Sequence, residues 1–282
     1  MLPAIANAHN GRLVAIASRD PARAAQMAEP YPSLQVVETY DAVLDDKQVD
    51  AVYIPLVNRD HKPWTIRALR AGKHVLCEKP LAMNADEAEE MAGTADAANV
   101  RLMEAFMYRF HPAMRAFVET ARDALHVRAS FGFKLKDEAN YRREASLGGG
   151  ALLDVGCYAV SVSRWILGEP VDVLARSHSE SGVDMSTTAL LAFDGGRTAS
   201  VWASFESTEE QELTVITRDR VFRREQPFTA RGDPHDPYQL MVESFADSVL
   251  FDRPVAIPTS ESVANMRVLD RIRAAASQSG VS

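Results

Sequence analysis

The sequence predicts an α/β protein: a doubly wound parallel sheet followed by an α+β domain with a mainly antiparallel sheet. Three observations carry this. Short apolar runs alternate with helical patterns over residues 12–108, the rhythm changes near Phe110, and after Val171 strand follows strand with only short turns between. Strands separated by helices pair in parallel through crossovers, whereas strands joined by tight turns pair antiparallel. The chain therefore divides into residues 1–110 and 111–282.

Leu2, Ile5 and Ala6 give residues 1–10 a short helical pattern that Asn10-Gly11 stops. Residues 12–20 read as a buried strand closing in a polar turn, and residues 21–28 as a helix with proline in its first turn, where its missing N–H costs nothing. A strand over 34–37, a helix over 40–44, a strand over 50–55, a helix over 62–71 ended by Gly72 and a strand over 73–77 continue the alternation. Asn84 caps a helix to Ala98, and residues 100–108 read as one more strand. Residues 112–125 then read as a helix and 127–133 as a strand with large residues at every second position after Ala129. A charged loop over 136–146 runs into Gly148-Gly149-Gly150 and a long apolar helix to Leu167, stopped by Gly168 and Pro170. Strands are expected over 171–176, 186–193, 197–205 and 212–217, with Asp194-Gly195-Gly196 the clearest hairpin turn, and helices over 238–250 and 262–276.

At 282 residues, 46% hydrophobic and 25% charged, the chain has the make-up of a globular protein rather than a disordered one. Its net charge of -8 argues against a general nucleic-acid binder, which needs a basic face. Two cysteines, Cys77 and Cys157, and no signal-peptide pattern point to a reducing cytoplasm. No apolar run reads as long enough to span a bilayer. A metal site from His74, Cys77 and Cys157 lacks the close ligand pairs a tetrahedral set needs, so no metal is expected.

Chemistry is expected at Cys77-Glu78-Lys79-Pro80, because the carboxyl ends of parallel strands line the ligand crevice and a lysine there points an ammonium at a bound ligand. The competing reading is a solvated lysine at an ordinary strand–loop junction. Asp154 and Tyr158 lie four apart on the helix after the glycines and would share a face. Alone, they read equally as an early-helix acid and a core aromatic. With Lys79 they make a general acid–base group, since a phenol of pKa about 10 needs a cation nearby to work near neutrality.

Four stretches in order resemble the Gfo/Idh/MocA oxidoreductases: residues 54–61, with Pro55, Asn58 and His61; residues 77–81, with Glu78 and Lys79; residues 103–112, with Arg109; and residues 148–158, with Asp154 and Tyr158. The tyrosine at 158 resembles the branch of dimeric dihydrodiol dehydrogenase and NADP-dependent D-xylose dehydrogenase. The resemblance implies a Rossmann domain that binds a nicotinamide cofactor and a second domain whose open sheet mediates dimerisation. It implies Lys79 beside the nicotinamide, Tyr158 as proton donor or acceptor, and Asp154 holding a substrate hydroxyl or the tyrosine. Pro55, Asn58, His61 and Glu78 match the stretch around the nicotinamide ribose, and Arg109 a position near the cofactor. Ser18-Arg19, where an NAD enzyme carries an acid, suits a ribose phosphate, so NADP is expected, with NAD as the second choice; two solvated turn residues are the plainer reading. The substrate would be the secondary alcohol or hemiacetal carbon of a sugar, cyclic polyol or dihydrodiol. The loop 136–146 and the segment 228–238 would shape its pocket, with Arg142 and His235 as candidate contacts.

One departure stands out. No Gly-x-Gly-x-x-Gly spacing precedes Gly148, and residues 1–6 match the helix that follows that turn in the family. The expectation is a start downstream of the true one, or a fragment, with two strand edges left unpaired and the pyrophosphate without its backbone donors. The alternative function is then a cofactor-incompetent paralogue that binds a carbohydrate or partner.

Overall fold

A computed structural model describes residues 1–121, 123–229 and 234–278. Its first part runs α1 (Leu2–Asn7), β1 (Ala15–Ile16), α2 (Pro21–Ala28), β2 (Gln35–Val36), α3 (Tyr40–Asp45), β3 (Ala51–Ile54), α4 (Asn58–Arg70), β4 (His74–Cys77), α5 (Ala85–Ala98) and β5 (Leu102–Glu104). Local chemistry sets the helix ends. Asp20 accepts from the Ala22 and Arg23 N–H groups ahead of α2, Asn84 accepts from Glu87 at the start of α5, and Asn99 closes α5 in the left-handed region.

The strands pair in parallel but form two sheets, β1-β2 and β3-β4-β5. Val52 lies opposite Val75, and Leu76 opposite Met103. A cavity of about 1260 Å³ is lined by Val14, Ala15 and Ile16 on one sheet and by Ala51, Val52 and Tyr53 on the other. The sheet is thus interrupted where the sequence leads one to expect an absent central strand, and β1 is correspondingly short and only half-buried.

Two elements of this part differ from expectation. The strand expected over 100–108 is the short β5 followed by a 3₁₀ turn, Met107–Phe110. Phe106, Met107, Tyr108 and Phe110 are all buried, and an apolar run buried on every side looks alike whether extended or coiled. The helix expected over 62–71 starts a turn earlier, at Asn58, and carries Pro63 inside it. That proline removes one intrahelical bond, to the carbonyl of the exposed Arg59, which water can satisfy.

The second part runs α6 (Pro112–Thr120), β6 (His126–Lys134), a π-helical turn (Leu152–Gly156), α7 (Cys157–Leu167), β7 (Asp172–Glu180), β8 (Val183–Phe193), β9 (Arg197–Ser204), β10 (Glu206–Ile216), β11 (Val221–Glu225), α8 (Pro237–Leu250) and α9 (Thr259–Gln278). Six strands form one sheet in the order β11-β10-β6-β9-β8-β7. All its pairs are antiparallel except β6 with β9, where Val127 faces Ala199 in parallel register. Consecutive strands were expected to be neighbours, yet β9 and β10 are not: β6 inserts between them, with Lys134 opposite Glu206. β11, absent from the expected strands, contains Val221, Phe222 and three charged residues and is nowhere fully buried, so it carries no clear apolar face. α7 packs on β6 and β9, and α9 packs against α5 and β7.

The long apolar helix expected after the glycines opens with the π turn, so its first residues are wound more widely than the α spacing assumes. The helical run Ala145–Leu167 is also long and apolar enough to span a bilayer by length and composition, which the sequence did not suggest because its first residues read as loop and glycine turn. Its apolar window is 78% buried inside the fold, which marks it as a core helix.

Candidate active site

Lys79 follows the carboxyl end of β4, and its peptide bond to Pro80 is cis. Its Nζ donates to the Asp154 backbone carbonyl at 2.8 Å and to Asp154 Oδ1 at 3.1 Å. The same ammonium stands 5.0 Å from the Tyr158 ring centroid, within cation–π range. Tyr158 is enclosed by the rings of Phe106, Tyr108, Phe131 and Phe228, at centroid distances of 5.4 to 5.7 Å. Glu78 completes the group: its Oε1 accepts from the Tyr53 hydroxyl at 2.5 Å and its Oε2 from the Lys79 N–H at 3.2 Å. Residues 75 apart in sequence thus meet, because the end of β4 abuts the π turn.

Asp154 does not present a free carboxylate. Arg142 Nε donates to Oδ2 at 2.6 Å and Nη2 to Oδ1 at 3.2 Å, so both oxygens are engaged. The π turn also changes the expected geometry: Asp154 and Tyr158 meet at Lys79 rather than through α-helical spacing. Arg142 is held by the glycine run, since the Gly150 N–H donates to its carbonyl at 3.0 Å. Gly149 lies so close that a Cβ there would meet that carbonyl oxygen at 2.5 Å.

Burial sets the electrostatics. It works against the Lys79 charge and is the largest single influence, but Asp154, Tyr158, Cys157 and Glu78 together outweigh it and the lysine titrates well above its usual range. Burial likewise opposes the Asp154 charge, and Lys79 and Arg142 overcome it, holding the carboxyl below its usual value. For Tyr158 burial wins. It pushes the phenol well above 10 and Lys79 pulls it back only in part. A cation-stabilised phenolate was expected from the sequence; the structure gives a neutral phenol, which can donate a proton before it can accept one.

The other expected site residues are distributed differently. Asn58 Nδ2 donates to the Gly148 carbonyl at 2.7 Å, a close approach at a glycine with φ of 83°. His61, expected beside a cofactor ribose, is buried with Nδ1 at 2.8 Å from the Pro80 carbonyl and Nε2 at 2.9 Å from the Leu56 carbonyl. Burial lowers its pKa, and a neutral imidazole donates to only one of two carbonyls at a time, so it braces the Lys79-Pro80 turn. Arg109, expected near the cofactor, pairs with Glu261 and stacks 4.5 Å from the Trp165 ring centroid. It lines a separate cavity of about 560 Å³ with Phe110 and Arg115. The long-range pair with Glu261 draws it away from the Lys79 group, and nothing local in sequence marks such a partner.

Two residues were missed. Tyr53 holds Glu78, and Glu104, 1% exposed, accepts from the Leu81 N–H at 2.9 Å beside the same turn. Burial pushes the Glu104 carboxyl up to about 7. Its position within an apolar run was the available signal.

Ser18, Arg19, Arg23 and Pro55 line the large cavity. Asp20, one step beyond Arg19, would suit a ribose hydroxyl, but its Oδ1 accepts from the Ala22 and Arg23 N–H groups at 3.0 and 3.2 Å as the cap of α2. Ser18, Arg19 and Arg23 thus bring a hydroxyl and two guanidinium groups to the same lining as Asp20. Of the segment 228–238, residues 230–233 lie outside the described residues. His74, Cys77 and Cys157 do not form a ligand cluster: His74 Nδ1 accepts from the Arg101 N–H at 2.9 Å, and burial raises both thiols far above their usual value. Among the described residues the one cluster of three His, Cys, Asp or Glu side chains close enough to share a metal ion is His178, Glu180 and Glu206, exposed on the large sheet.

Residues 1–106 match the family described as the oxidoreductase family with an NAD-binding Rossmann fold, and residues 123–222 match the GFO/IDH/MocA C-terminal domain. The D-xylose 1-dehydrogenase (NADP(+)) 2 of Haloferax volcanii is 38% identical, over 96% of this chain and 91% of that protein. The trans-1,2-dihydrobenzene-1,2-diol dehydrogenase of Xenopus tropicalis is 36% identical, over 76% of this chain and 66% of that protein. Among solved structures, an aldose–aldose oxidoreductase from Caulobacter crescentus superposes with a TM-score of 0.86 at 25% identity, covering 98% of this chain and 93% of that one. A 3-ketoreductase from Actinomadura kijaniata, solved with NADP and TDP-benzene, superposes at 0.84 with 29% identity, over 97% and 92%.

Proposed function

Because this chain belongs to the Gfo/Idh/MocA oxidoreductase family, we propose that it moves hydride between NADP(H) and a secondary alcohol or hemiacetal carbon of a sugar, with an aldose such as D-xylose the first choice and a cyclic polyol or dihydrodiol the next. The observation that carries this is the convergence of Lys79, Asp154 and Tyr158, with the ammonium against both the carboxylate and the phenol ring. A bound nicotinamide supplies the hydride donor or acceptor. The side chains handle the proton. In reduction the neutral Tyr158 phenol gives its proton to the substrate oxygen and becomes a phenolate that Lys79 stabilises; in oxidation that phenolate takes the proton of the substrate hydroxyl and returns to the phenol. Asp154 fixes Lys79 and, with Arg142, orients substrate hydroxyls. The aromatic enclosure keeps water from the transfer.

Ser18 and Arg19, assisted by Arg23, hold the ribose phosphate, and Pro55 and Glu78 border the nicotinamide ribose. Asn58 and His61 support that wall from behind. Arg109 belongs to a structural pair and is left out of the cofactor set. We take residues 1–110 as the cofactor half and 111–282 as the substrate half. The enzyme works in the cytoplasm as a homodimer, supported by exposed Val171, Leu174 and Leu190 around the large sheet.

The test is NADP⁺ reduction, followed by the absorbance of NADPH, with a panel of aldoses, cyclic polyols and dihydrodiols, against the Tyr158→Phe variant. Sugar-dependent reduction that the variant loses supports the reading. No NADPH binding by fluorescence titration would overturn it and favour the carbohydrate-binding alternative.

A further inference from the structure

The reaction centre holds two cations on one buried carboxylate. Lys79 reaches Asp154 Oδ1 at 3.1 Å, while Arg142 reaches Oδ2 at 2.6 Å and shares Oδ1 at 3.2 Å. With Lys79 alone, the ammonium and carboxylate would neutralise each other, and little net positive charge would be left beside Tyr158. The guanidinium changes that count. Its charge does not titrate in the accessible range, and its two parallel bonds fit a carboxylate better than an ammonium does.

Arg142 is also built into place. Its carbonyl accepts from Gly150 at 3.0 Å, its N–H donates to Asn140 Oδ1 at 3.1 Å, and its guanidinium stands 4.8 Å from the Tyr141 ring centroid. Its side chain, 28% exposed, is the one member of the trio with substantial access to solvent; Lys79 and Asp154 are 13% and 7% exposed.

We propose that Arg142 is a positioning residue that releases the Lys79 charge to Tyr158: by occupying Asp154 through both oxygens it leaves the ammonium to act on the phenol, and so tunes the phenol's acidity for proton transfer. This rests on the assignment of Tyr158 as the proton-transfer group. The groups facing Tyr158 are Lys79, Glu78, Cys157 and Tyr238, together with the surrounding rings. Those facing Asp154 are Lys79, Arg142, Tyr141 and Cys157. Glu78 opposes the effect, but its carboxylate is bound by the Tyr53 hydroxyl and the Lys79 N–H, while burial keeps the Cys157 thiol neutral. Two cations thus face two carboxylates, Asp154 and Glu78, and without Arg142 the balance beside the phenol would be negative.

The test reads the phenol directly, without cofactor or turnover. Tyr158 is replaced by a ring-fluorinated tyrosine, more acidic than the natural residue, and its ionisation is followed by fluorine NMR in three backgrounds: Arg142, Arg142→Gln and Arg142→Lys. Both substituents can still hydrogen-bond Asp154, and circular dichroism checks the fold. The midpoint is expected to rise by about one pH unit in Arg142→Gln, roughly a tenfold loss of phenolate at a given pH. Arg142→Lys, which keeps the charge, should recover at least half of that shift. An unmoved midpoint in Arg142→Gln overturns the proposal, as does a lysine variant displaced as far as the glutamine one, which would make the effect one of shape. An unmoved midpoint with a raised KM for sugar would make Arg142 a substrate contact instead. Wild-type NADP⁺ reduction is measured separately, so failure of the hydride-transfer reading is distinguishable from failure of this one.

Discussion

Replacing Asp154 with asparagine removes the one carboxylate between Lys79 and Arg142 while keeping nearly the same volume. Breaking a buried ion pair by removing one partner costs about 3–5 kcal/mol. Lys79 is 13% exposed and Arg142 28%, so the arginine can regain water, and asparagine still offers an oxygen to Nζ. The lower end applies: about 3 kcal/mol at pH 7. The pH dependence has a definite sign. Asp154 has a depressed folded pKa, so its contribution is full above the unfolded value of about 3.9 and is lost as pH falls through the folded one. Lys79 has a raised folded pKa, so its contribution is full below about 10.4 and is lost as pH rises through the folded value. The difference between wild type and Asp154→Asn should be a plateau between those limits, shrinking toward strong acid. Urea unfolding of both proteins at pH 7, 5 and 3 measures it. A gap under about 1 kcal/mol at pH 7, the value of an exposed pair, or one that stays constant into acid, would refute the buried-pair account.

Four further outcomes follow from the same geometry. Tyr158→Phe should lower kcat by about 10²–10⁴ while leaving the melting temperature near wild type, because the ring keeps its aromatic surroundings and loses only the hydroxyl; steady-state kinetics and calorimetry check this. Glu104→Gln should be more stable than wild type above pH 7, by at most about 4 kcal/mol, since a carboxyl raised from its unfolded value of about 4.3 to about 7 loses stability as pH climbs through that window; the gain should fade below pH 4 in urea titrations. Gly149→Ala should destabilise by about 1–3 kcal/mol and move the Arg142 loop, because the new Cβ would meet backbone oxygens of Arg142 and Glu144 rather than a yielding side chain, read by thermal melting. Arg19→Glu should weaken NADPH binding by at least about tenfold while sparing NADH, the size of a lost charge-assisted hydrogen bond, read by fluorescence titration.

The βα alternation was legible because it rests on local signals, apolar runs closed by polar turns, whereas the meeting of Lys79 with Tyr158 was expected from the family resemblance, since no local signal joins residues so far apart in the chain. What the sequence hides is non-local. The insertion of β6 between β9 and β10 depends on which edges meet, and Val127 and Ala199 carry no mark of their parallel pairing. The π turn around Asp154 is invisible because periodicity assumes regular winding. Arg142 was recognised as a site candidate but not as a ligand of Asp154, since a charged loop residue declares no partner.

The same non-local pairing gives Arg109 and His61, conspicuous in sequence, their partners in the fold: Glu261 for the one, the Pro80 and Leu56 carbonyls for the other. The proton transfer we propose requires Lys79, just after β4, to stay in register with a phenol on α7 to within a fraction of an ångström. The ammonium's own contacts with Asp154 are too few to fix two packed layers. Further polar ties hold the layers in register, among them Asn58 to the Gly148 carbonyl, Tyr108 to Ser161, Arg109 to Glu261, and the Ala85 N–H to Asp270. Each joins a residue before position 110 to one beyond it. His61 adds a brace within the turn that carries Lys79. Residues of catalytic type are thus employed as fasteners around a small reactive group. Cutting any one of the outer ties should lower kcat through loss of alignment, without altering the pH at which Tyr158 ionises.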